Sequence, residues 1–261
     1  MKALIDGDIL RYEVGFGAET GWRAITGEEN AIPPWDYVEQ ALVERIASIL
    51  HTTQADSYEL HLTEGRTFRD AIAITKPYKG HRIVNKPWHF DNLTAYMVGA
   101  LPTVVSRGIE ADDQMAMASN GIDTIVCSRD KDLRQVPGLF YSWELGRQPG
   151  FGPVLIDPIG SLELTYAKDG KAILKGTGYA WFCGQLLVGD RVDNIPGLAG
   201  VGPVNAYELL SGCKTPEQYA HIVAEEYKND KLLLEQGQLL WIVRRLNPDG
   251  TPEMWRRDLY A

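Results

Sequence analysis

Nine carboxylates fall in four short islands. They are Asp6 and Asp8 in LIDGD, Glu110, Asp112 and Asp113 in IEADD, Asp130 and Asp132 in SRDKD, and Asp190 and Asp193 in GDRVDN. Crowded carboxylates repel one another and resist ionisation unless positive charge is supplied. The islands contain neither histidine nor cysteine. Their donor chemistry therefore suits a hard cation such as Mg²⁺ or Mn²⁺ better than zinc. One Mg²⁺ binds through one or two carboxylates plus waters, so nine acids exceed one ion. They fit a pair of ions about 4 Å apart, which activates a water, steadies a leaving oxygen and clamps a phosphate.

Two further features point to a phosphate-bearing ligand. Arg66, Arg69, Lys76, Lys79, His81, Arg82 and Lys86 lie within 21 residues, interleaved with Tyr78, Trp88 and Phe90. Cations that meet phosphates and rings that stack on bases form a single-strand binding surface. In GLAGVGP, Gly197, Gly200, Val201 and Gly202 form a turn ahead of a helix. Its backbone N–H groups are expected to meet phosphate without sequence preference.

These residues need elements to hold them. KALI at 2–5 reads as a buried strand ending at Asp6, with Gly7 permitting a tight exit. A helix is predicted over 36–50 with Asp36 as its N-cap, and a strand over 57–63. The stretch 69–90 is polar, basic and broken by Pro77 and Pro87. A helix at 91–99, a strand at 103–105, a helix opened by EADD and a strand at 124–128 follow. Strands alternating with helices predict an α/β fold with a mainly parallel sheet. Ligands of such sheets sit beyond the carboxyl ends of the strands, which is where Asp6 and Asp130 fall. LELTYAKDGKAIL predicts a type I′ hairpin turning at Asp169-Gly170. From 178 onward the chain reads as helical, with Pro203 at a first helical position and a last helix over 231–246.

Composition narrows the class. The nine island acids equal the whole formal net charge of −9, so once they hold cations the remaining surface is neutral and free to carry basic patches. No apolar run approaches the roughly 18–20 residues of a bilayer span, and MKALIDGDIL does not read as a signal peptide. Cys127, Cys183 and Cys213 have no metal-like spacing, and free thiols in a reducing compartment are expected. A cytoplasmic location, a host cytoplasm for a phage-encoded chain, is the expectation.

GIEADD, SRDKDL, YKGHR and GDRVDNIPGLAGVG together resemble the structure-specific 5′-nuclease family of flap endonucleases and 5′→3′ exonucleases. EQGQLLWIVRR with its Trp-containing tail resembles the T7-like phage exonucleases. The resemblance implies a PIN-like domain over 1–177, with a helical arch at 66–95 and a hairpin near 160–175. It implies a helical DNA-binding region over 178–261, with a helix–three-turn–helix element at 185–212. It also implies metal-dependent hydrolysis near the 5′ end of duplex or flapped DNA, with RNA–DNA hybrids and primers as further substrates. On this resemblance Asp6, Glu110 and Asp112 hold one metal, and Asp130, Asp132 and Asp190 the other, with Glu110 or Asp112 shared. Asp113 and Asp193 lie further out. Lys79 and Arg82 become catalytic cations, and Arg69, Lys76, Tyr78 and Lys86 join them as DNA contacts. A K⁺ ion at the glycine turn is implied as well. Glu64 is the acid nearest a position where many family members carry Asp, and Asp8 has no assigned role.

Three other readings compete. A haloacid-dehalogenase-like phosphatase would use Asp6 as nucleophile, but leaves EADD, the basic segment and GLAGVGP without purpose. A PIN-domain ribonuclease shares the acids and lacks the glycine turn. An inert DNA-binding module gains nothing from acids that repel phosphate.

Overall fold

The computed structural model describes residues 1–81 and 85–257. In chain order the elements are β1 (Lys2–Asp6), α1 (Gly7–Thr26), α2 (Trp35–Thr53), β2 (Ser57–Thr67), α3 (Phe68–Ile72) and α4 (Phe90–Ala100). Next come β3 (Thr103–Gly108), α5 (Ala111–Ala118), β4 (Thr124–Cys127), β5 (Gly138–Ser142) and β6 (Phe151–Ile156). The remainder is β7 (Ser161–Tyr166), β8 (Ala172–Thr177), α6 (Gly178–Val188), α7 (Pro203–Leu210), α8 (Pro216–Tyr227) and α9 (Asp230–Leu240). Contacts divide the chain into two compact units. The first comprises Met1–Gly65, Ile83–Asp130 and Leu139–Val154. The second comprises Arg66–Arg82, Lys131–Gly138 and Leu155–Ala261.

The first unit is built on a sheet of order β3-β2-β1-β4-β5-β6. β1 pairs in parallel with β2 and with β4, and β4 in parallel with β5. Ala3, Leu4, Ile5, Ile125, Val126 and Cys127 are buried, as the continuous apolar runs of central parallel strands require. Leu10, Val14 and Ala18 of α1 and Val38, Leu42, Ile46 and Ile49 of α2 pack into the same core. No described helix is long and apolar enough to cross a membrane.

Three local differences from the sequence reading appear here. α1 was not foreseen, although Leu10, Val14 and Ala18 keep one helical face; the glycines of GFG and TGW mask that spacing. Gly15 is needed on this helix, because a Cβ there would meet Pro87 Cγ at 2.4 Å. α2 begins one residue before the expected start and its N-cap is Pro34, not Asp36. The Pro34 carbonyl accepts from the N–H groups of Tyr37 and Val38, and Asp36 falls in the first turn, where an acid suits the helix dipole. Between α3 and α4 the described residues carry no helix in the expected arch segment. Pro77 and Pro87 lack N–H donors there, and Lys79 takes a left-handed φ of 52°.

The second unit is centred on α6, whose residues are buried from Gly178 to Leu187. A helix apolar all round must be wrapped on every side. Phe182 meets Trp241 edge-on at 5.1 Å and Trp255 at 5.6 Å, and β7 and β8 pair antiparallel in the same unit. The β7–β8 hairpin forms where predicted, but its turn is not type I′. The Gly170 N–H bonds the Ala167 carbonyl, and Gly170 alone of the turn residues has positive φ, at 80°. A type I′ turn would need positive φ at both central residues. α9 ends at Leu240, short of the expected 246, with Trp241 already extended. Cys127, Cys183 and Cys213 are separate buried thiols.

Candidate functional site

Each unit gathers its own carboxylates. In the first, the β1–β4 register pairs Ile5 with Cys127, so the next residues, Asp6 and Ser128, emerge side by side at the carboxyl edge. The Ser128 hydroxyl donates to Asp6 Oδ2 at 2.6 Å, and in turn accepts the Asp130 N–H at 2.9 Å. Asp6 Oδ1 accepts the Ile9 N–H at 2.9 Å and so caps α1. Gly7 lets α1 start directly against β2, since a Cβ there would lie 2.8 Å from the His61 carbonyl oxygen. That close approach brings Asp8 to β2, where both its oxygens accept the Thr63 N–H at 3.1 Å. Arg11, one turn along α1, donates to Asp8 Oδ1 at 2.6 Å.

This crowding shows in the electrostatics. Burial, then the charge of Asp8, pushes the Asp6 carboxyl up to about 7; Ser128 and Ile9 oppose the rise and Asp130 adds to it. Burial also raises Asp8, against the pull of Arg11, and Glu110 adds repulsion. Asp6, Asp8, Glu110 and Asp130 thus feel one another. Glu110 N-caps α5 in a capping box with Asp113, whose Oδ2 accepts the Glu110 N–H at 3.0 Å. The Ala111 N–H bonds Thr63 Oγ1 at 2.9 Å, tying this helix end to β2. Asp112 lies half-buried in the first turn of α5, and Asp113 is fully buried. Glu64 points elsewhere, into an exposed ion pair with Arg107 at 2.6 Å.

In the second unit the acids meet a lysine. Lys131 Nζ lies 3.0 Å from Asp132 Oδ1 and also contacts Asp190 Oδ2. Gln185 of α6 donates to Asp132 Oδ1 at 2.6 Å. Asp190 Oδ1 accepts the N–H groups of Val192 and Asp193 at 2.7 and 3.3 Å. Asp193 has a different task from Asp190. Its carbonyl accepts the Lys79 N–H at 3.0 Å, and its Oδ2 accepts the Tyr78 hydroxyl at 2.8 Å. Lys79 Nζ stands 4.0 Å from the same carboxylate.

The basic segment differs in part from the sequence reading. Arg69 is not a surface cation. It is 1% exposed, donates to the carbonyls of Leu239 and Trp241 at 3.0 and 2.7 Å, and lies 4.6 Å from the Phe68 ring centre. Tyr78 and Phe90 are buried rather than presented for stacking, because Tyr78 is bound to Asp193 and Phe90 packs beneath Arg11 and Lys86. Lys76, Lys86 and Trp88 remain exposed. Arg82 lies outside the described residues.

The glycine turn also divides. Gly197 is buried at φ 70°, and a Cβ on it would lie 2.3 Å from Gly189 N. It serves close packing of two backbone turns rather than an open anion cradle. The Val201 N–H is bonded to the Leu198 carbonyl at 3.1 Å. Gly200 and Gly202 are exposed, and Gly202 caps α7 ahead of Pro203.

Among the described residues no three His, Cys, Asp or Glu side chains converge as a ready-made metal cage. The donors nevertheless fit a hard cation in kind. They are all carboxylates, Asp6 is short of compensating positive charge, and Asp132 and Asp190 already share an ammonium group. Sequence reasoning missed Arg11, Thr63, Ser128, Lys131 and Gln185. Ser128 and Lys131 sit inside the SRDKD island itself, and Arg11 follows from Asp8 once α1 is recognised.

No family model matches the sequence. The chain is 27% identical over 276 residues to DNA polymerase I of Chloroflexus aurantiacus, a match covering 100% of this chain and 27% of the polymerase. It is 29% identical over 157 residues to DNA polymerase I of Rhizobium leguminosarum, covering 56% and 12%. The chain therefore spans only a fraction of the length of these curated relatives. Among solved structures, a phage T5 protein co-crystallised with metal ions superposes with TM-score 0.62 at 15% identity, over 92% of this chain and 88% of that one. A zinc-bound T5 5′-exonuclease gives 0.58 at 16%, over 92% and 89%. A phage T5 flap endonuclease in a pseudo-enzyme–product complex with DNA and metal ions gives 0.56 at 15%, over 92% and 88%. These likenesses establish the fold: a mostly parallel sheet flanked by helices, of the PIN-like kind seen in those nucleases.

Proposed function

We propose that this chain is a divalent-metal-dependent 5′→3′ exonuclease or flap endonuclease, cutting phosphodiesters near the 5′ end of duplex or flapped DNA. The observation that carries the proposal is the crowded carboxylate group at the β1–β4 edge, with Asp6 raised to about 7. The shared fold with metal- and DNA-bound nucleases supports it, as do the two DNA polymerase I matches.

Asp6, Glu110 and Asp112, with Asp130 beside Asp6, would hold one Mg²⁺ or Mn²⁺, and Asp132 and Asp190 the other. Such cations supply an activated water and neutralise the leaving oxygen. The chain's own residues do the positioning. Ser128 and the Ile9 N–H fix both oxygens of Asp6, and Gln185 and the Val192 N–H orient Asp132 and Asp190. Lys79 stabilises negative charge developing on the phosphate. Its backbone is set by Asp193, which acts as an anchor for Lys79 in place of a metal-side role. Arg82, from YKGHR, is a second cation of this kind. Lys76, Lys86 and Trp88 contact the strand, and the turn at Gly200 and Gly202 contacts backbone phosphates, with K⁺ as its ion. RNA–DNA hybrids and primers are included as substrates, and phage DNA replication is the setting proposed. A dehalogenase-like phosphatase fits less well, since it gives no purpose to the acids of EADD or to the basic segment.

The test is a digest of 5′-labelled blunt, gapped, flapped and RNA-primed duplexes with Mg²⁺, sizing the products. Short products from the 5′ end are expected, and none in excess EDTA or from Asp130→Ala. Undiminished cleavage under EDTA would sink the metal reading.

A further inference from the structure

Lys131 touches both Asp132 and Asp190 in the second unit's island. Its main chain is fixed, because Trp181 Nε1 donates to the Lys131 carbonyl at 3.1 Å. Its side chain is held more loosely: it is 46% exposed, whereas Asp132 is 14% and Asp190 3% exposed. The two carboxylates cannot follow it outward. Gln185 holds Asp132, and the Val192 and Asp193 N–H groups hold Asp190. A long, strongly hydrated ammonium on a flexible stem therefore bridges two fixed acids and has open water to retreat to.

We propose that Lys131 is a built-in, displaceable counter-ion. It keeps Asp132 and Asp190 compatible with each other in the metal-free chain and swings away when a divalent cation arrives. This rests on the reading that these acids hold a cation, and adds that the cation must displace a competitor. Lys131 thereby sets the metal concentration at which this pair of acids takes up its cation. It is a positioning residue, not one that meets substrate.

The experiment is Mn²⁺ titration of the full chain, read by calorimetry and thermal shift, for wild type, Lys131→Met and Lys131→Arg. Lys131→Met should bind Mn²⁺ about tenfold more tightly, within the usual range of coupling between two sites. Its melting temperature should fall without metal and recover with Mn²⁺, and Lys131→Arg should stay near wild type. A wild-type measurement needs no variant to fold: amine acetylation mapped by mass spectrometry should rise at Lys131 when Mn²⁺ is added. Equal or weaker Mn²⁺ affinity in Lys131→Met, or labelling of Lys131 unchanged by Mn²⁺, overturns the counter-ion role while leaving the cation reading intact. Absence of Mn²⁺ binding in every protein overturns both.

Discussion

Glu235 of α9 holds Thr75 twice, accepting its N–H and its hydroxyl at 2.6 Å each, and takes the Ile74 N–H at 2.7 Å as well. A carboxylate receiving three donors is a strong anchor. With Asp193 gripping Tyr78 and Lys79, and Asn194 Nδ2 donating to the Pro77 carbonyl at 2.9 Å, the stretch 74–79 is fastened at both ends. Glu235→Ala should therefore speed tryptic cleavage after Lys79 several-fold, while costing about 1 kcal/mol of global stability. Unchanged proteolysis would show that this anchor is redundant.

Arg69 is expected to matter for stability, not for DNA affinity. Arg69→Ala strips donors from two buried carbonyls and leaves a cavity beneath α9. A loss of about 3 kcal/mol or more is expected, read as a lowered urea midpoint. Lys76→Ala, an exposed neighbour, should leave the midpoint within about 0.5 kcal/mol of wild type. If the two variants melt alike, the burial of Arg69 has no energetic content.

Stability against pH has opposed contributions in metal-free protein, raised carboxyls on one side and a lowered histidine on the other. Asp6 is raised in the fold to about 7, so its stabilising protonated form is lost as pH climbs from about 4 to 7. His61, buried with neither ring nitrogen hydrogen-bonded, is lowered to about 4, chiefly by burial. Its contact with Glu59 at 3.3 Å is therefore not an ion pair at neutral pH. Folded His61 stays neutral where the unfolded chain is protonated, so it costs stability as pH falls from about 6.5 to 4. Between those values the two effects cancel in part. Asp6→Asn should remove the carboxyl raised to about 7, and melting temperatures in EDTA should then climb more with pH over that window than those of wild type. A wild-type-like profile would contradict the assignment.

Gly237 predicts a packing defect. A Cβ there would lie 2.2 Å from Trp255 Cε3, inside a cluster where Trp255 is 3% exposed. Gly237→Ala should cost about 1–3 kcal/mol, and tryptophan emission should shift red as Trp255 is pushed toward water.

Lys79→Ala should lower kcat for 5′ cleavage by roughly 10²-fold, on the scale of a lost transition-state donor, with KM little changed. An equal effect on both would make Lys79 a binding residue.

How much of this was legible depended on the range of the interaction. Asp6 at a strand end, EADD opening α5 and the strand order's parallel character follow from local runs and short motifs. Arg69 did not, since nothing in GRTFRD distinguishes a surface arginine from one that will meet Leu239 and Trp241, 170 residues on. Gly197 read as an open phosphate turn because its spacing is shared by both roles; only the approach of Gly189 separates them. Lys131 was passed over because a basic residue between two acids reads as a solvated break in the island, and Asp190 lies 59 residues away.

The Asp6–Ser128 contact joins residues 122 positions apart, across β1 and β4. β1 is synthesised well before β4 but sits in the middle of the sheet, waiting for that later neighbour. The acid cluster of the first unit is therefore a late product of folding, gated by closure of a very long loop. An N-terminal fragment stopping before Thr124 carries Asp6, Asp8 and Glu110 without the serine that orders them. Nascent chains would thus lack the ordered acid edge until β4 has docked.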